Sequence, residues 1–456
     1  MGKRGLQGFA VLVGLIFLGG IVQSQTPAHS PINPPAISYG VASEVPITTP
    51  EAVGLSSQRL ERITDAIQRS VDDSRIAGGV SLVARHGKVA YLQAVGMADR
   101  DAHKPMRTDS MFRICSMSKP ITALAVMILY EEGRFELSDP VSNYLPEFKH
   151  MKVLDPPMPQ DRTSPPGALL DAKRPITIIE LLTHSSGLTY TWNNRIGKAY
   201  VDAGVGTGLK QQEGTLAESI KKLASFPLLF QPGDYTEYGL SFDVLGRLVE
   251  VVSGMPYDKF LEERMFKPLG MKDTYFFPPE DKVARLATAY AYDEQKGLRP
   301  ILDGQVLEEP IWMGTVVQYS ADYPYRGPRT YFSGGAGLCT TIEDYYRFCQ
   351  MMLNNGELNG VRIISRKSVE LMSMNHSHNI PSGANFGLAF GVNDDPTKQT
   401  ELGSLGSYSG GGFYYTSFQI DPKEDLIGIF MGQISPAGNL NLGKKAIRLA
   451  YQAIID

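Results

Sequence analysis

Apolar residues recur at helical spacing over some stretches of this 456-residue chain and at strand spacing over others. From Ser56 to Asp72 the pattern is helical. Gly79–Arg85 and Val89–Leu92 then read as two strands around the tight turn His86-Gly87-Lys88, a hairpin following a helix. Between about 116 and 275 the pattern is mostly helical, broken by loops that include a polar, Pro-rich insertion from Asp155 to Pro175. Past Thr340 a further helix runs to Asn354, and Gly360–Ile364 turns back. Gly412–Ile420 and Leu426–Met431 flank the turn Asp421–Asp425, and a helix from Leu440 to Ile455 closes the chain.

Strand pairs at both ends with helix-rich sequence between them predict an α/β fold of the α+β type. One antiparallel sheet flanked by helices is completed by the N- and C-terminal parts, and an all-helical domain is inserted between them. The implied boundaries are 51–115 and 333–456 for the sheet-containing domain and 116–332 for the mainly helical domain with its pocket loops. A cleft between the two is the natural place for a site.

The first 24 residues carry Lys3 and Arg4, an apolar stretch from Phe9 to Val22, and Val22-Gln23-Ser24 before Gln25, the three-part layout of a secretory signal peptide. The apolar stretch is short for a bilayer span of about 20 residues, and an uncleaved N-terminal anchor is the alternative to a cleaved signal peptide. A periplasmic or secreted location is expected. Residues 25–50 are Pro-rich and without periodicity, and read as a linker or extended arm.

With 43% hydrophobic and 20% charged residues, the chain has the composition of a globular protein with a sizeable core. A net charge of -4 without any Lys/Arg-rich block gives no basis for a nucleic-acid partner or a stable membrane partner, and leaves oligomeric state open. Three cysteines, Cys115, Cys339 and Cys349, cannot build a multi-bridge framework and read as small core residues.

Candidate chemistry enters at Ser116-Met117-Ser118-Lys119, which opens the helical run Ile121, Leu124, Ala125, Ile128 and Leu129 that stops at Gly133. Pro120 falls in its first turn, where a missing N–H is tolerated. A three-residue offset puts the Ser116 hydroxyl and the Lys119 amine on one face. A serine becomes a nucleophile when a neighbouring base takes its proton, and a helix N-terminus favours an alkoxide and disfavours a protonated lysine. The same spacing recurs at Ser219-Ile220-Lys221-Lys222, inside a charged amphipathic helix pattern, where it reads as a solvated face.

Three stretches together resemble the serine β-lactamase-like acyl-enzyme hydrolases, especially class C β-lactamases and the family VIII carboxylesterases of the same fold. They are Phe112–Pro120, Ile178–Leu188 and Tyr238–Gly246, and the likeness covers nearly the whole chain that follows the expected signal peptide. The resemblance implies Ser116 as nucleophile, with Lys119 and Tyr238, a buried phenol beside an ammonium, as its proton partners, either of them the base. Tyr235 lies three residues upstream, and the register of the following residues favours Tyr238. The family's third motif falls on Gly406–Phe413, where Gly411 and Gly412 let a substrate approach the strand. The N–H groups of Phe413 and Ser116 are then the implied oxyanion hole.

Two departures shape the expected substrate. Gly410, Gly411 and Gly412 stand where β-lactamases carry Lys-Thr-Gly, so no cation is offered there, and Leu240 replaces the amide of Tyr-Ala-Asn. Both changes favour a small neutral ester over a charged amide-like donor. The aromatic-dense loop with Trp312, Tyr319, Tyr323, Tyr325, Tyr331 and Phe332 is a candidate wall of the acyl pocket, as is Trp192. His376-Ser377-His378 reads as a surface turn and His184 as structural support; no metal site and no cofactor are implied. The expected activity is therefore carboxylic ester hydrolysis through an acyl-enzyme, with β-lactam or D-amino-acid peptide hydrolysis, or a non-catalytic binding role on the same fold, as the alternatives.

Overall fold

In the computed structural model, residues 45–158, 167–310, 316–377, 385–437 and 439–456 are described. The expected signal peptide, most of the Pro-rich arm, Trp312 and His378 lie outside them. The last residues of the arm run extended beside the hairpin, with the Thr48 N–H donating to the Val89 carbonyl at 3.0 Å and the Val89 N–H to that of Pro46 at 2.8 Å.

A seven-stranded sheet forms the centre, in the order Gly391–Val392, Tyr408–Gly412, Thr416–Asp421, Leu426–Met431, Gly78–Arg85, Lys88–Asp99 and Lys104–Pro105. Every neighbouring pair is antiparallel. The join between the two ends of the chain is the pairing of Val80 with Met431 through Arg85 with Leu426. His86 and Gly87 both have positive φ, +53° and +71°, the backbone that a two-residue hairpin turn requires.

All eight residues of Gly78–Arg85 are buried, because helices cover both faces of the sheet. On one face Val83, Tyr91 and Phe430 pack against Leu60, Ile63 and Ile67 of the helix Ser57–Asp72 and Leu442, Ala446 and Ala450 of the helix Leu442–Gln452. Ser56 caps the first of these, its hydroxyl accepting from the Arg59 N–H. On the other face Val80, Leu82, Ile427 and Ile429 join the main core with the helices Ser118–Glu131 and Ile342–Leu353.

The stretch 116–332 holds helices at Ser118–Glu131, Leu216–Leu223 and Ser241–Ser253, with two-stranded ribbons between Lys152–Leu154 and Leu169–Asp171, Tyr290–Asp293 and Gly297–Pro300, and Leu307–Pro310 and Val316–Tyr319. Two expectations need correction. The run Gly412–Ile420 is broken by a turn at Phe413–Tyr415, where Tyr415 takes φ +71°, so Tyr408–Gly412 and Thr416–Asp421 form a hairpin. Ser219 is not on a solvated face: it is 3% exposed and its hydroxyl accepts from the Gly206 N–H at 2.8 Å, while Lys222 points to solvent.

Candidate active site

Ser116, the candidate nucleophile, stands on a tightly held turn. Met111–Arg113 pairs antiparallel with Cys339–Thr341. The buried Arg113 side chain ties this strand down by donating to the carbonyls of Ala321 (2.6 Å) and Ala287 (2.9 Å) and to Gln433 Oε1 (3.0 Å). Cys115 then enters the left-handed region at φ +41°, opening a 3-10 turn over Cys115–Met117 from which the helix Ser118–Glu131 continues. A left-handed non-glycine residue costs on the order of 1–3 kcal/mol and persists only when its surroundings over-determine it. Here the Ile114 N–H donates to the Leu338 carbonyl at 3.0 Å, and Cys115 is fully buried beside Tyr323. Burial pushes the Cys115 thiol up to about 11, so it is inert packing, as are the buried and unpaired Cys339 and Cys349. From Met111 to Leu129, Ser116 alone is not buried.

Lys119, 2% exposed, spends its three donors on three oxygens: Ser116 Oγ at 3.3 Å, the Tyr190 phenol at 3.0 Å and the Gly335 carbonyl at 2.8 Å. That is the full complement of an ammonium. Burial works against the charge, and the phenols of Tyr190 and Tyr238 outweigh it, leaving the Lys119 pKa above its ordinary 10.5. The lowering expected from a helix N-terminus is therefore overturned by the neighbouring oxygens. Burial pushes the Tyr190 phenol upward, with Lys119 acting in the opposite sense, so Tyr190 serves as a neutral acceptor.

Tyr238 lies with its ring centroid 4.5 Å from Lys119 Nζ and 5.6 Å from the ring of Tyr190. It is 38% exposed, so the phenol expected to be buried instead opens to solvent at the rim of the site. Tyr235, by contrast, is buried against Phe230 at 5.7 Å. Trp192 stacks flat on Tyr190, with centroids 4.0 Å apart and planes 14° apart, and is partly exposed.

The strand Tyr408–Gly412 passes directly over the nucleophile turn. A Cβ on Gly412 would sit 2.2 Å from the Ile114 carbonyl oxygen and 2.4 Å from Thr416 Oγ1, so only glycine permits this approach, while Gly411 faces solvent. Among the described residues, neither the Ser116 N–H nor the Phe413 N–H has a backbone acceptor. Phe413 is held edge-on by Tyr319 at 4.9 Å. Tyr319, Tyr323 and Tyr331 are buried, Tyr319 against Phe413, Tyr323 beside Cys115 and Tyr331 on Asp243, so these members of the aromatic loop pack against residues of the site. Leu240 likewise is 1% exposed and packs in the core at the start of the helix Ser241–Ser253, offering no surface to a substrate. His376 is occupied by the Leu371 carbonyl at 2.7 Å.

Two contributors, Tyr190 and the Gly335 carbonyl, carry no sequence motif of their own, and a third, Asp243, lies within the stretch Tyr238–Gly246 without being singled out there. A Cβ on Gly335 would lie 2.7 Å from Asp243 Oδ2 and 3.1 Å from the Tyr190 hydroxyl, so the glycine run Gly334-Gly335 was the available signal. Asp243 is fully buried, accepts from the Tyr331 hydroxyl at 3.0 Å, and is pushed up to about 6 by burial, against the opposing effects of Ser333 and Lys119.

Residues 63–452 match the family model for Beta-lactamase, and the chain belongs to that family. Among its relatives, Esterase EstB of Burkholderia gladioli is 32% identical over 374 residues, covering 82% of this chain and 90% of that protein. A putative D-alanyl-D-alanine carboxypeptidase of Salmonella enteritidis is 30% identical over 431 residues, covering 89% of each. The solved structure of EstCE1, described as a hydrolase with promiscuous acyltransferase activity, superposes with a TM-score of 0.74 at 29% identity, covering 88% of this chain and 99% of that one. The β-lactamase-like fold, with its antiparallel sheet and flanking helices, is thus the architecture of this protein.

Proposed function

We propose that this protein is a serine hydrolase forming an acyl-enzyme on Ser116, and that it acts as a carboxylesterase on small neutral esters. The observation that carries this is the fully engaged Lys119 ammonium, which joins the only accessible residue of the nucleophile segment to two phenols. In this reading Lys119 keeps its proton and Tyr238 stands beside it as the phenolate, so the Tyr238 oxygen takes the proton of Ser116 as Oγ attacks the ester carbonyl. The N–H groups of Ser116 and Phe413 receive the oxyanion. The carbon–oxygen bond to the alcohol breaks, and the alcohol leaves with the proton held by Tyr238. Water then attacks the acyl carbonyl, gives a proton back through Tyr238 to Ser116, and the acid departs. Three glycines, Gly410 to Gly412, where a cation-bearing motif stands in β-lactamases, favour a donor without a carboxylate. The esterase named among the relatives supports the same choice.

Tyr238→Phe is expected to lower kcat for a short-chain nitrophenyl ester by about a hundredfold or more, the range of a lost general acid or base. An unchanged rate would remove Tyr238 from the mechanism. The relative named as a putative carboxypeptidase supports a second reading, turnover of D-amino-acid peptides or β-lactams. Intact-protein mass after exposure to a panel of esters, β-lactams and D-peptides separates the two by the mass added to Ser116.

Export is part of the same proposal, supported by Lys3, Arg4 and the apolar run Phe9–Val22. Protein recovered from the periplasm or medium of an expressing bacterium should begin near Gln25 on N-terminal sequencing. Retention of Met1 in all fractions speaks against it.

A further inference from the structure

The stretch Thr183-His184-Ser185-Ser186-Gly187, conspicuous in the sequence, supplies none of the oxygens around Lys119. Its histidine nevertheless faces the site. His184 takes φ +57°, and three separate parts of it converge on Tyr238. Its carbonyl accepts the Glu237 N–H at 2.9 Å, on one side of Tyr238. Its Nδ1 accepts the Gly239 N–H at 3.3 Å, on the other. Its ring lies against the Tyr238 ring, with centroids 4.6 Å apart and planes inclined by 39°.

Tyr235–Gly239 carry no regular secondary structure, so nothing in a helix or strand ladder fixes the direction in which Tyr238 points. Phe242 and Phe386, with centroids 5.2 Å and 5.8 Å away, hold the His184 ring in turn. A Cβ on Gly239 would meet the Leu188 carbonyl oxygen at 2.5 Å, so the two loops interlock closely.

We propose that His184 is the positioning residue for Tyr238, holding the N–H groups of the residues on either side of it, Glu237 and Gly239, and the face of its ring. The proposal rests on the reading of Tyr238 as the proton carrier for Ser116. Acceptance at Nδ1 places the proton of the neutral imidazole on Nε2. Burial, reinforced by the Lys119 charge, keeps His184 well below its ordinary 6.5, so that lone pair stays available. A misdirected catalytic group costs up to about a hundredfold without loss of substrate binding.

The test is a double-mutant cycle on hydrolysis of a short-chain nitrophenyl ester, with kcat and KM resolved. His184→Ala should lower kcat about tenfold or more and leave KM within about twofold. His184→Asn, which tolerates a left-handed backbone and offers an oxygen to the Gly239 N–H, should recover part of the loss. The double variant His184→Ala with Tyr238→Phe should be within about twofold of Tyr238→Phe alone. If Tyr238→Phe is impaired and the two losses multiply, or the His184→Ala loss falls on KM, the positioning role is overturned while the role of Tyr238 stands. If Tyr238→Phe turns over like the unmodified protein, the role of Tyr238 fails and the positioning role with it. Should His184→Ala melt below the assay temperature, the same cycle on His184→Phe, which keeps a ring and loses the acceptor, supports or overturns the positioning role by the same criteria.

Discussion

Ser116→Ala is expected to reduce ester hydrolysis to background and to abolish labelling by a fluorophosphonate probe, because among the described residues Ser116 is the only serine whose Oγ is hydrogen-bonded to Lys119 Nζ, at 3.3 Å. The informative partner is Ser219→Ala. Ser219 shares the Ser-x-x-Lys spacing, but its hydroxyl is buried against the Gly206 N–H and its lysine, Lys222, is exposed. That substitution should cost about 1 kcal/mol of stability through the orphaned N–H and leave kcat near normal. Thermal melting and one rate assay on the two variants read both outcomes, and loss of activity in Ser219→Ala with retention in Ser116→Ala would reverse the assignment.

Lys119→Met should lower kcat/KM by about a thousandfold or more. Methionine fills much of the lysine's volume but gives nothing to Ser116 Oγ, the Tyr190 hydroxyl or the Gly335 carbonyl, all of which Lys119 serves at once. Lys119→Arg is expected to fail as well, since a planar guanidinium does not fit a site that is 2% exposed and shaped for three converging donors. The pH behaviour follows from the upward direction of the Lys119 pKa. A base whose pKa rises on folding stabilises the fold at every pH below its ordinary value, here 10.5, and that contribution fades only as pH climbs toward the raised value. Between about pH 6 and about pH 9, neither stability nor kcat/KM should show an inflection belonging to Lys119. An inflection in that range lost specifically in Lys119→Met would show that the lysine cycles as a neutral amine.

Local pattern and turn chemistry, which act within a few residues, made the hairpin at His86-Gly87 and the helix from Ser56 onward legible in the sequence, and the order of strands and helices along the chain implied that its two ends share one sheet. Ser116 and Lys119 were readable for the same reason, being three residues apart on one face. What local pattern missed depends on distance along the chain. Tyr190 reaches Lys119 from 71 positions away and the Gly335 carbonyl from 216, and neither loop advertises its partner. The Phe413–Tyr415 turn escaped because its aromatic residues favour strands and the left-handed residue is Tyr415, where a glycine would have marked the bend. Ser219 was misplaced because the charges of Lys221 and Lys222 dominate the helix pattern, while burial of its small hydroxyl is decided by a neighbouring loop. Leu240 illustrates the converse: the change from an amide to an apolar residue is real in the sequence, but its side chain is core.

The sheet that supports the nucleophile turn is sewn from both ends of the polypeptide, Val80 against Met431 and Gly412 against the segment leading to Ser116. Such pairings close loops of several hundred residues, which makes for slow folding. A nascent chain carries Ser116 long before the strand that completes its surroundings has been synthesised. Hydrolytic competence therefore arrives late, as an all-or-none event gated by the final strands, and a prematurely terminated product would be inert however intact its nucleophile.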